Sequence, residues 1–167
     1  DTVTSGAGAD TIDAGDGTNT VDAGAGDNSV TTGSGTDSIT AGTGNDSIVA
    51  GAGNDTVSSG AGDDYIDAGA GADSVVAAAG NDTLVFDAAD QIIDGGTGTN
   101  VLKINDSTVD LTTIADALAT NFQVIDLTNS AVTNLTLGQA DVAALLPTGV
   151  TTLYIKGDTT DRVVLRD

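Results

Sequence analysis

The first 103 residues repeat a pattern of nine places in which one place is always aliphatic. Residues 41–67 read AGTGNDSIV, AGAGNDTVS and SGAGDDYID, which is small-Gly-x-Gly-x-Asp-x-aliphatic-x three times without a gap. One large aliphatic side chain in nine does not form an amphipathic helix, which needs one about every 3.6 residues. The pattern predicts a short strand and a glycine-rich turn in each repeat. Nine consecutive repeats carry the aliphatic residue at the eighth place: Ile12, Val21, Val30, Ile39, Ile48, Val57, Ile66, Val75 and Leu84.

Alternation along each short strand predicts which side chains point inward. The eighth place of one repeat and the first place of the next lie two residues apart, so both face the interior. The first place is Ala, Ser or Thr in these repeats, which lets two sheets approach closely. Two consecutive repeats then close one coil of a flattened right-handed parallel β-solenoid. Strands form its two faces, and turns about 4.8 Å apart form its two edges.

In these nine repeats the sixth place is always Asp or Asn, a short side chain that carries an oxygen. All 25 acidic residues of the chain are Asp, so the acidity is not that of an ordinary surface, which would also use Glu. Glycines at the second and fourth places leave the turn carbonyls unshielded. A column of carboxylates and carbonyls is an all-oxygen cage, which suits calcium because calcium takes six to eight such ligands in irregular geometry.

These nonapeptides resemble the calcium-binding repeats of RTX (repeats-in-toxin) proteins over residues 1–103. The resemblance implies a parallel β-roll with calcium between turns n and n+2, secretion through a type I channel and folding outside the cell. Matched place by place, it implies up to about eight ions, one for each neighbouring pair of ligands along two edges. One edge carries Asp10, Asn28, Asp46, Asp64, Asp82 and Asn100, and the other carries Asn19, Asp37, Asp55 and Asp73.

Departures from the RTX pattern predict where the metal sites weaken or end. The asparagines offer a neutral oxygen, so the sites that include them should be weaker. Gln91 at the sixth place of the degenerate repeat FDAADQIID ends its edge. The remaining acidic residues near the turns are predicted to be solvated charge: Asp13, Asp22, Asp63, Asp67, Asp90 and Asp94.

Charge and composition narrow the possible functions. Residues 1–100 hold 17 Asp and no Lys or Arg, which speaks against nucleic acid and anionic membranes as partners. The chain has no His and no Cys, so it offers no nucleophile–histidine pair and no zinc site, and an enzyme is not expected. Few large apolar groups and a high net charge predict that the repeats are disordered without calcium.

The repeat fails after Lys103, which predicts a boundary between a roll (1–103) and a C-terminal capping region (104–167). Strands are predicted at 101–104, 122–128, 134–138, 152–158 and 162–167, and short helices at 112–120 and 138–147. The run VIDLTNSAVTNLTLGQADVAALL also resembles regions that follow the repeats in very large bacterial adhesins.

Together these features predict a calcium-dependent structural module of a type I-secreted bacterial surface protein, either an adhesin or S-layer-like. Its expected partners are calcium ions, the type I secretion apparatus, other copies of itself and cell-surface polysaccharide. Two alternatives stay open. An outward row of Thr and Ser at the seventh place is compatible with an ice- or surface-binding solenoid. The repeats would also suit the secretion module of an RTX enzyme or toxin whose catalytic domain lies elsewhere.

Overall fold

A computed structural model describes residues 1–105, 108–113, 119–128 and 134–166. Through the nonapeptide repeats, the described chain winds between two parallel sheets, with a strand on alternate faces in successive repeats. The repeat strands are β1 (Thr2–Thr4), β2 (Thr11–Gly15), β3 (Thr20–Asp22), β4 (Ser29–Thr32), β5 (Ser38–Thr43), β6 (Ser47–Val49), β7 (Thr56–Ala61), β8 (Tyr65–Asp67), β9 (Ser74–Ala79), β10 (Thr83–Phe86) and β11 (Ile92–Asp94). They lie in the order β1-β3-β5-β7-β9-β11 in the first sheet and β10-β8-β6-β4-β2 in the second. Later strands extend both sheets, with β14 (Ala119–Thr120) beside β11, and β12 (Val101–Ile104), β15 (Val124–Asp126) and β17 (Tyr154–Lys156) following β10 in that order.

One coil contains two repeats, as the period predicts. Paired residues of neighbouring strands lie two repeats apart in the chain, for example Val3 with Val21 and Ile48 with Ile66. The pairing is parallel between every pair of neighbouring strands along both sheets. This confirms the predicted all-β parallel roll.

The interior of the roll is filled by the two places that alternation predicts. The eighth-place side chains are buried from Ile12 to Leu84, and most are no more than 3% exposed. The first-place residues from Ala23 to Ala77 are buried beside them, among them Ala41 and Ala50, each 0% exposed. Small residues at the first place therefore allow the two sheets to share a thin core of stacked Ile and Val.

The turns stack so closely that glycine is required. Gly53 has φ +152, and a Cβ there would lie 1.5 Å from the carbonyl oxygen of Gly35 in the preceding coil. Backbone hydrogen bonds join the stacked turns, since Gly53 N–H donates to Ala70 O at 2.8 Å and Ala52 N–H donates to Gly33 O at 2.9 Å. The turns therefore continue the sheets around both edges.

Longer coils follow the repeats. Val101 pairs with Val124, and Val124 pairs in turn with Tyr154, so more of the chain lies between paired strands here than within the roll. The additional elements are β12 (Val101–Ile104), β13 (Thr108–Asp110), a 3₁₀ helix (Leu111–Thr113), β14 (Ala119–Thr120), β15 (Val124–Asp126), β16 (Asn134–Gly138), α1 (Gln139–Leu145), β17 (Tyr154–Lys156) and β18 (Arg162–Arg166). Strands β13, β16 and β18 form a third parallel sheet.

Most of the elements predicted after the repeats are present. The five predicted strands correspond to β12, β15, β16, β17 and β18, and the helix predicted at 138–147 is α1. The helix predicted at 112–120 is wrong at its end, because Ala119 and Thr120 pair with Ile93 and Asp94 as a strand. Residues 114–118 of that prediction lie outside the described residues. Both main sheets run across Lys103, so the proposed boundary there stays a prediction.

Candidate calcium sites

The structure brings the sixth-place side chains together in two columns, one along each edge of the roll. Within the columns, Asp10 is half-buried and the other members are at most 3% exposed. In each column the Oδ1 atom accepts the backbone N–H of the equivalent residue in the preceding coil. The bonds run from Asp10 to Asn28 (3.0 Å), Asn28 to Asp46 (2.8 Å), Asp46 to Asp64 (2.8 Å), Asp64 to Asp82 (2.9 Å) and Asp82 to Asn100 (2.9 Å), and from Asn19 to Asp37 (2.7 Å), Asp37 to Asp55 (2.8 Å) and Asp55 to Asp73 (2.8 Å).

The second carboxylate oxygen has no partner in all but one of the column aspartates, the exception being Asp10, whose Oδ2 accepts a hydrogen bond from the Ser5 hydroxyl. In six of them Oδ2 is buried and makes no hydrogen bond: Asp37, Asp46, Asp55, Asp64, Asp73 and Asp82. Buried polar atoms are nearly always paired, because an unpaired one loses its hydration without replacement. Because six such atoms occupy equivalent positions, they indicate a common kind of ligand at each position rather than six unrelated unsatisfied groups.

The asparagines of the columns reveal what Oδ2 faces. Asn28 and Asn100 accept a backbone N–H at Oδ1, which fixes the orientation of each amide and leaves Nδ2 to donate. Nδ2 of Asn28 donates to Gly26 O at 2.7 Å, and Nδ2 of Asn100 donates to Gly95 O at 2.7 Å. Nδ2 of Asn19 likewise donates to the turn carbonyls of Gly15 and Gly17, at 2.9 and 3.1 Å. The pocket beside each sixth-place side chain is therefore lined by turn carbonyls.

Asparagine and aspartate have the same shape and use Oδ1 in the same way, so we infer that Oδ2 of the six unpartnered aspartates takes the place that Nδ2 has in the asparagines. An oxygen in that place faces carbonyl oxygens with no hydrogen between them. A cation would turn this repulsion into coordination, and a hard divalent cation such as calcium suits a cage made only of oxygen. No group of three or more acidic, His or Cys side chains converges within the described part of the chain, so each site would combine column side chains with carbonyls.

The electrostatics of the columns agree with this arrangement. Burial raises the pKa of Asp46, Asp55, Asp64 and Asp73, and it raises the pKa of Asp82 to about 6. Hydrogen bonds from backbone N–H groups oppose this rise without cancelling it. The ionised columns therefore destabilise the roll unless a positive charge joins them.

The comparison with protein families decides the identity of the repeats. The profile of the RTX calcium-binding nonapeptide repeat (4 copies) matches residues 1–30, 31–66 and 56–84. The chain belongs to this RTX family. RTX repeats bind calcium and form a parallel β-roll, so the predicted cofactor and fold are confirmed. Comparisons with curated proteins and with solved structures give no match.

The RTX family is a structural calcium-binding module rather than a catalytic one. The assignment of the ten column residues as individual ligands stays a prediction, as does the number of ions.

None of the described helices is long and apolar enough to cross a membrane.

The prediction that Asp90 is solvated charge is wrong, because Asp90 is 6% exposed and its Oδ1 is buried without a partner. The available signal was its position in the degenerate repeat, one place before the sixth-place Gln91. Gln91 itself is exposed, as expected for a residue that leaves its column.

The other five acidic residues that are predicted to be solvated charge divide into two groups. Asp13, Asp22 and Asp63 are exposed, in agreement with the prediction, whereas Asp67 is half-buried. Asp94 is also half-buried, and its Oδ1 accepts bonds from Gly96 N at 2.9 Å and Asn121 Nδ2 at 2.6 Å. Asp94 thus joins the last repeats to the C-terminal coils rather than carrying free charge.

Proposed function

We propose that this RTX chain is a calcium-dependent structural module of a type I-secreted bacterial surface protein, either an adhesin or S-layer-like. It is unfolded at low calcium and folds outside the cell. The observation that carries this proposal is the set of six buried, unpartnered Oδ2 atoms in the two columns. Folding the roll without cations would bury these charges beside carbonyl oxygens.

The charge of the chain supports the same proposal. The first 100 residues carry 17 Asp and no basic residue, so the columns have no counter-charge within the repeats. At extracellular-type affinities of about 10⁻⁴–10⁻³ M, each bound calcium is worth roughly 4–5.5 kcal/mol of standard binding free energy. Several such sites would make folding depend steeply on calcium, because metal that binds only the folded state stabilises it.

This dependence would suit export and surface display. Calcium is scarce inside the cell and close to millimolar outside it, so the chain would stay unfolded for passage through a type I channel and become rigid afterwards. The C-terminal coils, which resemble adhesin regions, favour a surface protein. Contact with surface polysaccharide or with further copies of the chain belongs to this proposal.

A calcium titration followed by far-ultraviolet circular dichroism tests the proposal. We expect a cooperative change from coil to sheet at roughly millimolar calcium, with magnesium a poor substitute because it requires stricter geometry. Size-exclusion chromatography of the same samples should show the chain becoming compact. A sheet spectrum already complete in chelator would overturn the proposal.

A further inference from the structure

The second column ends at an acidic pair that the nonapeptide motif does not describe. In the degenerate repeat at residues 86–94, Asp87, Ala88 and Ala89 stand where most of the other repeats carry Gly-x-Gly. The chain forms a tight turn there instead, in which Asp90 N–H donates to Asp87 O at 3.2 Å. Ala89 N–H donates to Asp87 Oδ1 at 2.7 Å. This turn carries the fifth-place Asp90 inward while Gln91 points out.

Asp90 and Asp73 each have one buried carboxyl oxygen without a hydrogen-bond partner. Asp73 is 0% exposed, and its Oδ1 accepts Asp55 N–H at 2.8 Å while Oδ2 has no partner. Asp90 is 6% exposed, and its Oδ2 accepts Asp87 N–H at 3.0 Å while Oδ1 has no partner. Gln91 N–H donates to Asp73 O at 2.8 Å, and Ile92 pairs with Ser74 in the sheet, so Asp90 lies beside Asp73 in the next coil. Each carboxyl group is therefore held by one backbone N–H, and its other oxygen is buried and unpaired.

The pair has no internal source of positive charge. The four basic residues of the chain are Lys103, Lys156, Arg162 and Arg166, and the charged groups that act on Asp73 and Asp90 are other aspartates. Two buried carboxylates side by side are strongly unfavourable unless a cation or a shared proton joins them. A hard divalent cation differs from a shared proton because it satisfies both unpaired oxygens while both carboxyl groups are ionised.

We infer that Asp73 and Asp90 bind a further calcium ion, which closes the second column outside the nonapeptide motif. Asp90 takes the role that the sixth-place residue would have had, and the degenerate repeat is a modified site rather than a lost one. This inference rests on the proposed function of the roll, because it uses the same ion and the same column.

Counting bound ions in the full chain tests the inference. Native mass spectrometry at saturating calcium should show about one ion fewer for Asp90→Asn than for the wild type, and about two fewer for Asp73→Asn, which also faces Asp55. Asp63→Asn is the matched control, because Asp63 is an exposed fifth-place residue on the other edge, and it should bind as many ions as the wild type. An unchanged count in Asp90→Asn would overturn the inference and indicate a shared proton.

Asp90→Asn preserves the shape of the side chain, and its Oδ1 can still accept the N–H of Asp87. Should that variant fail to fold, anomalous diffraction from wild-type crystals grown with terbium decides the question. A terbium peak between Asp73 and Asp90 supports the inference, and peaks along both columns with none at this pair overturn it alone. A chain that binds no ion anywhere and stays folded in chelator would instead overturn the proposed function.

Discussion

Asn19, Asn28 and Asn100 face the same turn carbonyls as the aspartates of the columns, but they satisfy those carbonyls with their own N–H groups. Nδ2 of Asn28 lies 2.7 Å from Gly26 O, and Nδ2 of Asn100 lies 3.0 Å from Asn121 O. The N–H groups of a carboxamide therefore interact favourably with the carbonyl oxygens, as a bound cation would do beside a carboxylate. We therefore expect that a single oxygen-to-nitrogen replacement decides whether a turn needs metal.

Asn28→Asp should therefore make one turn dependent on calcium. The variant replaces an N–H donor with an oxygen beside Gly26 O, so the calcium-free chain should be less ordered. At saturating calcium we expect up to two additional bound ions, because the new carboxylate belongs to two neighbouring pairs, one with Asp10 and one with Asp46. Native mass spectrometry measures the count, and circular dichroism in chelator measures the order.

The neighbouring Asp27→Asn is the matched control for this change. Asp27 is exposed, and its Oδ1 accepts Asn45 N–H at 2.7 Å, a bond that an asparagine oxygen can also accept. This variant should leave the ion count unchanged. Equal counts for Asn28→Asp and the wild type would show that the pocket beside residue 28 does not take a cation.

Among the elements, the glycine turns determine whether the coils can stack at all. The backbone of each turn passes within hydrogen-bonding distance of the turn below, as in the 2.8 Å bond from Gly53 N–H to Ala70 O. A side chain at these positions would push neighbouring turns apart, and it would thereby separate both the stacked carbonyls and the stacked column residues. Close stacking of the turns is thus a precondition for the metal sites, and it is set by backbone sterics.

Gly53→Ala should destabilise the roll strongly. Its Cβ would lie 1.5 Å from Gly35 O, and φ +152 is unfavourable for alanine, so we expect a loss of roughly 2–4 kcal/mol in unfolding free energy at fixed calcium. Urea denaturation in saturating calcium measures this loss. Gly6→Ala is the control, since no atom lies within 4 Å of its Cβ position, and its effect should stay within about 0.5 kcal/mol. Equal losses in both variants would contradict the stacking argument.

Charge is unevenly distributed over the whole molecule. The first 100 residues carry a charge of −17, whereas three of the four basic residues lie in or next to the last strands, β17 and β18. The remaining one, Lys103, places Nζ 5.7 Å from the ring centroid of Tyr65. The roll therefore cannot neutralise itself and has to bind either cations or protons.

Acid should consequently replace calcium in part. Burial raises the pKa of Asp82 from 3.8 to about 6, and it raises the pKa of Asp46, Asp55, Asp64 and Asp73 as well. A raised folded-state pKa means that the folded chain binds protons more tightly than the unfolded chain does. The resulting stabilisation is complete below about pH 3.8 and is lost as the pH rises through about 6.

In chelator, we therefore expect more sheet at pH 4 than at pH 7, measured by circular dichroism. Light scattering on the same samples separates folding from precipitation near the isoelectric point. A spectrum in chelator that does not change between pH 7 and pH 4 would show that protonation of the columns contributes nothing to folding.

The nine-residue period determined most of the roll, because a period constrains every repeat in the same way. It specified the inward eighth and first places, the coil of two repeats and the two columns of Asp and Asn. The structure confirms these with residues such as Val3 paired with Val21. A repeated pattern suffices here because each repeat meets neighbours that carry the same pattern.

Only the tertiary structure decided the features that break the period. Asp90 is buried because a tight turn replaces the glycine turn, and Ala119 and Thr120 form a strand because β11 offers them a free edge. The amide orientation of Asn28 depends on an N–H donor in the preceding coil. These outcomes depend on contacts with unlike neighbours in space, which local spacing along the chain does not specify.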